Sequence, residues 1–256
     1  MLKKNFIVFI LLAILPVSVL IAQPAGREVV NQPIEWFSAA SNIKLSNRLT
    51  LYIEGQFRYA DDFDPMQYQA RTSLDISLGK HWSISPLGYV YTWNYLYGEQ
   101  PASIINNEHR IYQQVTYKHK VRNVSVSHRA RVEERFIQVH EHEGDVVAYE
   151  GYDNHQIRFR YRFMATMPFK GDKVEPKSFY TAVYDEVFMS RGESVSFHEP
   201  DQNRIFAGIG YQFNSSFNIL AGPLYQMLIK SNGAKQENNV GLQVMATYNF
   251  DLTKKD

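Results

Sequence analysis

Fourteen charged residues sit at alternate positions in stretches whose polarity switches residue by residue. They are Glu54, Arg58, Arg71, Glu108, Arg110, Arg129, Arg131, Glu133, Arg135, Arg158, Arg160, Arg162, Glu186 and Arg204. Arginine stays charged in confined spaces and can hold a carboxylate with two parallel hydrogen bonds, so this set can do two kinds of chemistry. It can form an ion-pair network that fills a narrow interior. Alternatively it can line an anion-selective pore, or a site for small anions, an acidic glycan or a lipid headgroup, because rings of charge set selectivity. Ten arginines against four glutamates leave positive charge that water or an anion must balance. The structural network is the favoured reading.

Other candidates are weaker. His140, Glu141, His142, Glu143 and Asp145 have metal-ligand types at close spacing, yet a solvated loop explains them as well. Ser231-Asn232-Gly233 resembles the serine segment of outer-membrane phospholipases, but Lys230 precedes the serine and no histidine lies within ten residues, so it reads as a turn. Asn123-Val124-Ser125 and Asn214-Ser215-Ser216 match a glycosylation pattern and also read as turns. We find no glycine-rich phosphate loop, metalloprotease motif or cofactor signature, and assign no catalytic residue, metal or cofactor. The chain has no cysteine, which removes disulfides, thiolate ligands and thiol nucleophiles. A formal charge of +1 over 256 residues gives no footprint for nucleic acid.

The elements that must position the charges are strands. Period-two alternation recurs almost throughout, and no helical spacing persists over three turns. Leu49, Leu51, Ile53, Phe57 and Tyr59 oppose Thr50, Tyr52, Glu54, Gln56 and Arg58; Ile157, Phe159, Tyr161 and Phe163 oppose Arg158, Arg160 and Arg162. Eleven strands are visible, at 34–44, 48–60, 66–79, 82–97, 107–120, 123–138, 153–167, 178–190, 202–213, 217–230 and 239–250. Tight turns at 45–47, 79–81, 120–123 and 214–216 alternate with longer links at 61–65, 98–106, 139–152, 191–201 and 231–238. The 169–177 link is the exception on the short side. Short turns at one end and long loops at the other suit an outer-membrane barrel.

A soluble barrel also alternates, so further features must decide. Residues 1–22 carry a basic head, an apolar run and a small residue at Ala22, the three parts of a cleaved signal peptide. Many of the strands exceed the roughly 9–11 residues that cross a bilayer at a tilt. Tyr89, Tyr91, Trp93, Tyr95 and Tyr97 share one face near a strand end, as in an aromatic girdle. Lysines collect in the leader, turns and tail, whereas arginines sit in strands; facing lipid, each would cost about 2–4 kcal/mol near the midplane. His128 and Glu134 fall on the lipid face and are expected near its boundary. Single-chain bacterial barrels have even strand numbers, so we expect about twelve, with ten as the alternative. An irregular strand or a lumen-threading segment in 23–33 would make up the count.

Several strings resemble a family of bacterial outer-membrane barrels known as domain of unknown function 2490. They are Glu35-Trp36, Leu51-Tyr52-Ile53-Glu54-Gly55-Gln56-Phe57-Arg58, Glu108-His109-Arg110-Ile111-Tyr112-Gln113-Gln114 and His128-Arg129-Ala130-Arg131-Val132-Glu133-Glu134-Arg135-Phe136. Arg158-Phe159-Arg160-Tyr161-Arg162, Asp185-Glu186-Val187-Phe188 and Gln202-Asn203-Arg204-Ile205-Phe206-Ala207-Gly208-Ile209-Gly210-Tyr211 follow in order. The likeness covers about residues 34–250. It implies a location and a fold but no activity.

The sequence therefore predicts an all-β, up-and-down antiparallel transmembrane barrel over 34–250, after a leader at 1–22 and a segment at 23–33, with a periplasmic tail at 251–256. Its expected partner is outer-membrane lipid. The expected role is a non-enzymatic structural barrel or a narrow pore with weak anion preference. A barrel enzyme acting on lipid or lipopolysaccharide, and a surface binder working through 139–152 and 191–201, remain alternatives.

Overall fold

A computed structural model describes residues 27–98, 105–143, 146–197 and 200–253, without the side chains of 141–147. The expected leader at 1–22 lies outside the described residues. No described helix is long and apolar enough to cross a membrane, a statement that does not bear on strands.

The alternation is realised as strands β1 (Glu28–Lys44), β2 (Leu49–Ala60), β3 (Asp64–Ser77), β4 (Trp82–Asn94), β5 (Asn107–Val121) and β6 (Val124–Ile137). A short hairpin, β7 (His140–Glu143) and β8 (Val146–Tyr149), interrupts the link to β9 (Asn154–Pro168). β10 (Ser178–Gly192), β11 (Gln202–Gln212), β12 (Phe217–Ile229) and β13 (Lys235–Asp251) complete the chain. All but β7 and β8 close into one barrel in the order β1-β13-β12-β11-β10-β9-β6-β5-β4-β3-β2.

The barrel has eleven strands, neither twelve nor ten, because its closing seam is parallel. β1 runs beside β13 in register from Glu28↔Lys235 to Lys44↔Asp251, and the other barrel pairings are antiparallel. The described part of the 23–33 segment contributes Glu28–Pro33 to β1 as one continuous strand with 34–44. The even-number rule fails here because an odd meander closes once its first and last strands run the same way. Gly241 makes room at this seam: a Cβ there would lie 1.7 Å from the Ile34 carbonyl oxygen.

The ladder breaks where the sequence cannot sustain it. β4 bulges between Ser85 and Gly88, around Pro86, which has no N–H to donate. The Asp61–Phe63 turn is tighter than expected, with three successive residues at positive φ. On the 169–177 side the turns are otherwise short, and the long connections lie at the opposite end.

The outer face is apolar: Ile53, Phe57, Phe159, Tyr161 and Val240 are exposed. Aromatic side chains cluster at both ends. Phe63, Phe37, Tyr59, Tyr68 and Tyr95 pack in succession at the loop end. Phe179, Tyr211, Phe213, Phe217 and Tyr248 do so at the turn end. His128 lies four residues from the turn-side start of β6, stacked on His119 at 5.4 Å and hydrogen-bonded to the Tyr161 hydroxyl at 2.7 Å. Glu134 lies three residues from the loop-side end of β6. Asp185 departs from the apolar exterior and accepts a hydrogen bond of 2.6 Å from Asn203 Nδ2 on the neighbouring strand.

One expectation about facing needs correction. Tyr97 does not continue the girdle; it lies beyond β4 and its hydroxyl donates to the Glu237 carboxylate at 3.0 and 3.1 Å. The interior is not uniformly polar. Ile34, Trp36, Tyr184, Phe206 and Leu224 are buried together inside the β10–β13 and β1 side of the barrel. Inward glycines create the space: a Cβ on Gly210 would fall 2.1 Å from the Tyr180 ring.

Candidate functional site: a divided arginine lumen

Alternation alone brings the fourteen charged residues to the inner face. Seven strands supply them: β2 (Glu54, Arg58), β3 (Arg71), β5 (Glu108, Arg110), β6 (Arg129, Arg131, Glu133, Arg135), β9 (Arg158, Arg160, Arg162), β10 (Glu186) and β11 (Arg204). β1 adds Trp36 between them. Register then decides which meet. Along β6 and β9 the opposed pairs are Glu133↔Arg158, Arg131↔Arg160 and Arg129↔Arg162, so two of the three set like charges face to face.

The carboxylates act as knots. Glu133 is completely buried and takes hydrogen bonds from Arg160 Nη1 at 2.5 Å, Arg158 Nε at 2.9 Å and Arg131 Nη1 at 3.3 Å. Glu108 receives two donors from Arg110, at 2.5 and 2.7 Å, and two from Arg135, at 2.5 and 3.0 Å. Such two-pronged pairing fixes both position and plane. Glu186 accepts from Arg129 at 2.5 Å and Arg160 at 2.8 Å, with Arg204 at 3.9 Å. Glu54 pairs with Arg71. Because Arg160 reaches both Glu133 and Glu186, it joins two knots into one network.

Arg58 and Arg162, alone among these lumen arginines, are not paired within 4 Å of any described carboxylate. Arg58 is held by neutral acceptors instead: Gln56 Oε1 at 2.9 Å from its Nε and Gln67 Oε1 at 2.6 Å from Nη1. Its guanidinium lies 4.1 Å over the indole of Trp36, and Arg204 lies 4.8 Å from the same ring. Arg162 rests 5.7 Å from the Tyr184 ring. Aromatic faces attract cations electrostatically, so these rings share in holding the excess charge.

The lumen is thereby divided. A cavity of about 250 Å³ lies towards the turns, with Asn42, Lys118, Ser127 and Thr247 in its wall. A second of about 380 Å³ lies towards the loops, walled by Tyr97, Asn106, Val195 and Lys230. Arg58 and Arg204 border both, so with Trp36 they form the partition. At the loop end, Lys230 is paired with Glu237.

The aromatic and amide members of this site escape a reading of the sequence. Trp36 stands out only as part of a strand-opening string, Phe188 sits between Val187 and Met189, and Tyr112 and Tyr184 carry no charge that marks them as lumen residues. Tyr112 carries the Arg131 guanidinium at 3.9 Å, and Phe188 carries Arg160 and Arg204, each at 4.6 Å. Their parity with Gln32, Gln114 and Glu186 along the same strands is the available signal. Of the loop candidates, Glu141, His142, Glu143 and Asp145 have side chains outside the described residues. Ser231 lies in the β12–β13 turn, where its carbonyl accepts from the Ser196 and Phe197 amides at 3.0 Å.

A sequence family described as a protein of unknown function, DUF2490, matches residues 35–238. The chain belongs to that family. No curated protein matches its sequence. Among solved structures, the DUF2490 chain is similar to the NanC porin at 10% identity, over 81% of this chain and 93% of that one, with a TM-score of 0.46. It is also similar to the outer-membrane-expressed OmpT of Vibrio cholerae, at 12% identity over 73% of this chain and 58% of that one (TM-score 0.37).

Proposed function

We propose that the protein is a non-enzymatic outer-membrane barrel, delivered by a cleaved leader, whose lumen is a narrow path that prefers anions. Support for the location is the inverted arrangement: apolar strand faces with aromatic belts outside and ionised groups within, which hydrocarbon surroundings favour. The observation that carries the functional reading is the excess of inward arginine. Ten guanidiniums, with Lys118 and Lys230, face four glutamates, with Asp75 and Glu237, and two guanidiniums form the partition between the cavities. Any ion crossing the barrel passes that cationic layer, where an anion is stabilised and a cation repelled.

The test is single-channel recording of the purified chain in planar bilayers under a potassium chloride gradient. A small conductance with a reversal potential displaced towards chloride is expected. An electrically silent or cation-selective barrel would contradict the pore.

A further inference from the structure

The two cavities differ in how their cations are used. Arg58, which has no carboxylate partner, and Arg204, near Glu186, border both cavities; of the cations that line the loop-side wall alone, Arg110 and Arg135 are both bound to Glu108, Arg158 to Glu133 and Lys230 to Glu237. The turn-side wall has cations to spare. Arg162 and Lys118 line it, and neither has an ion-pair partner within 4 Å among the described residues. Of the carboxylates in that wall, Glu54 is taken by Arg71, and Glu186 by Arg129 and Arg160. Asp75 accepts hydrogen bonds from the Ser73 and Ser85 hydroxyls, at 3.0 and 2.5 Å.

Hydrogen-bond donors are in surplus at the same place. The Nε–H groups of Arg71, Arg129 and Arg160 are buried without an acceptor among the described residues, and all three side chains line this cavity. Arg71 and Arg160 are more than nine-tenths buried. Strand register sets Arg129 and Arg162 directly opposite one another on β6 and β9, both projecting into this cavity. Two guanidiniums on opposed positions of one wall repel, and an anion bound between them would offset that repulsion. Chloride would balance one charge, but only an anion with several acceptor oxygens can use both the charge and the unused donors.

We propose that the turn-side cavity is a binding site for a compact multivalent oxyanion of the phosphate type, held by Arg162, Arg129 and Lys118. A volume of about 250 Å³ holds such an ion with part of its water shell. The site deepens the anion-preferring reading of the lumen, on which it rests, and gives that path a resting place on one side of the partition.

Titration of the full chain in detergent with inorganic phosphate, at constant ionic strength in a chloride background, tests it. Calorimetry or phosphorus NMR line broadening reads binding without any need for conduction. Saturable binding near one phosphate per chain is expected. Arg162→Gln should weaken it by about tenfold or more, because it removes a charge-assisted contact inside the wall, and Lys118→Gln, exposed at the cavity mouth, by a few-fold. Lys173→Gln, which removes an exposed turn charge on the same side, should change it by less than about twofold. Absence of saturable phosphate binding to the folded protein would overturn the proposal. So would affinity that neither Arg162→Gln nor Lys118→Gln reduces. A barrel that is silent in bilayers yet binds phosphate through Arg162 sinks the pore and keeps the site. A conducting, anion-preferring barrel without phosphate binding sinks the site alone.

Discussion

The Arg58 guanidinium lies 4.1 Å above the Trp36 indole, and the two residues come from paired strands, directly opposed in register. Arg204 reaches the same ring from the far side of the sequence, on β11. One apolar side chain thus organises two cations at the partition of the lumen. Trp36→Ala should remove that platform and loosen both arginines. We expect a several-fold rise in single-channel conductance and a loss of about 3–5 kcal/mol in stability, the usual range for truncating a buried tryptophan. Conductance and urea unfolding in lipid vesicles read the two effects. Unchanged conductance in a folded variant would remove Trp36 from the partition.

Glu133 is the acceptor most dependent on its surroundings, since three arginines converge on a carboxylate that is fully buried. Glu133→Gln preserves shape but leaves those cations with weaker partners. Breaking a buried ion pair from one side typically costs about 3–5 kcal/mol. The expected outcome is a barrel that unfolds at lower temperature in heat-modifiability gels. The exposed pair Lys173–Glu175 serves as the contrast, and Lys173→Gln should leave the gel transition unchanged. Equal transitions for Glu133→Gln and the parent chain would show that the buried network adds nothing to stability.

At Gly88 the β4 backbone is covered by a ring from β5: a Cβ there would fall 2.1 Å from Tyr112 Cζ. Tyr112 is fully buried and also supports Arg131 at 3.9 Å. Gly88→Val should therefore displace both the ring and the cation it carries. A loss of about 1–3 kcal/mol is expected from overpacking. Combining it with Tyr112→Ala should cost less than the sum of the two single changes, because the clash disappears with the ring. Strict additivity in a double-mutant cycle would count against the contact.

Much of this arrangement is legible in the sequence, because a barrel wall has a side-chain period of two and each strand states its own two faces. Arg158, Arg160 and Arg162 against Phe159, Tyr161 and Phe163 is enough to orient β9. Closure is not legible in the same way. Whether β1 pairs with β13 in parallel depends on long-range strand order, which no local pattern encodes, and the rule of even strand numbers points elsewhere. The apolar part of the interior is hidden for a related reason. Tyr180, Ala182 and Tyr184 alternate with Thr181 and Val183, so β10 shows no polarity contrast from which to assign a face. Ion-pair partners are partly legible, since Glu133↔Arg158 follows from register, but Arg160 bridging Glu133 and Glu186 requires three strands to be placed at once.

Facing is the claim on which the rest depends, and the lack of native cysteine makes it directly measurable. Single cysteines at Phe159 and at Arg162 would carry a small environment-sensitive fluorophore in reconstituted vesicles containing nitroxide-labelled lipid. Phe159 points outward and is 43% exposed, so its label should be strongly quenched by the lipid nitroxide. The label at Arg162, in the wall of the turn-side cavity, should escape that quencher and respond to a water-soluble one. Quenching by lipid at 162 together with protection at 159 would contradict the inverted barrel.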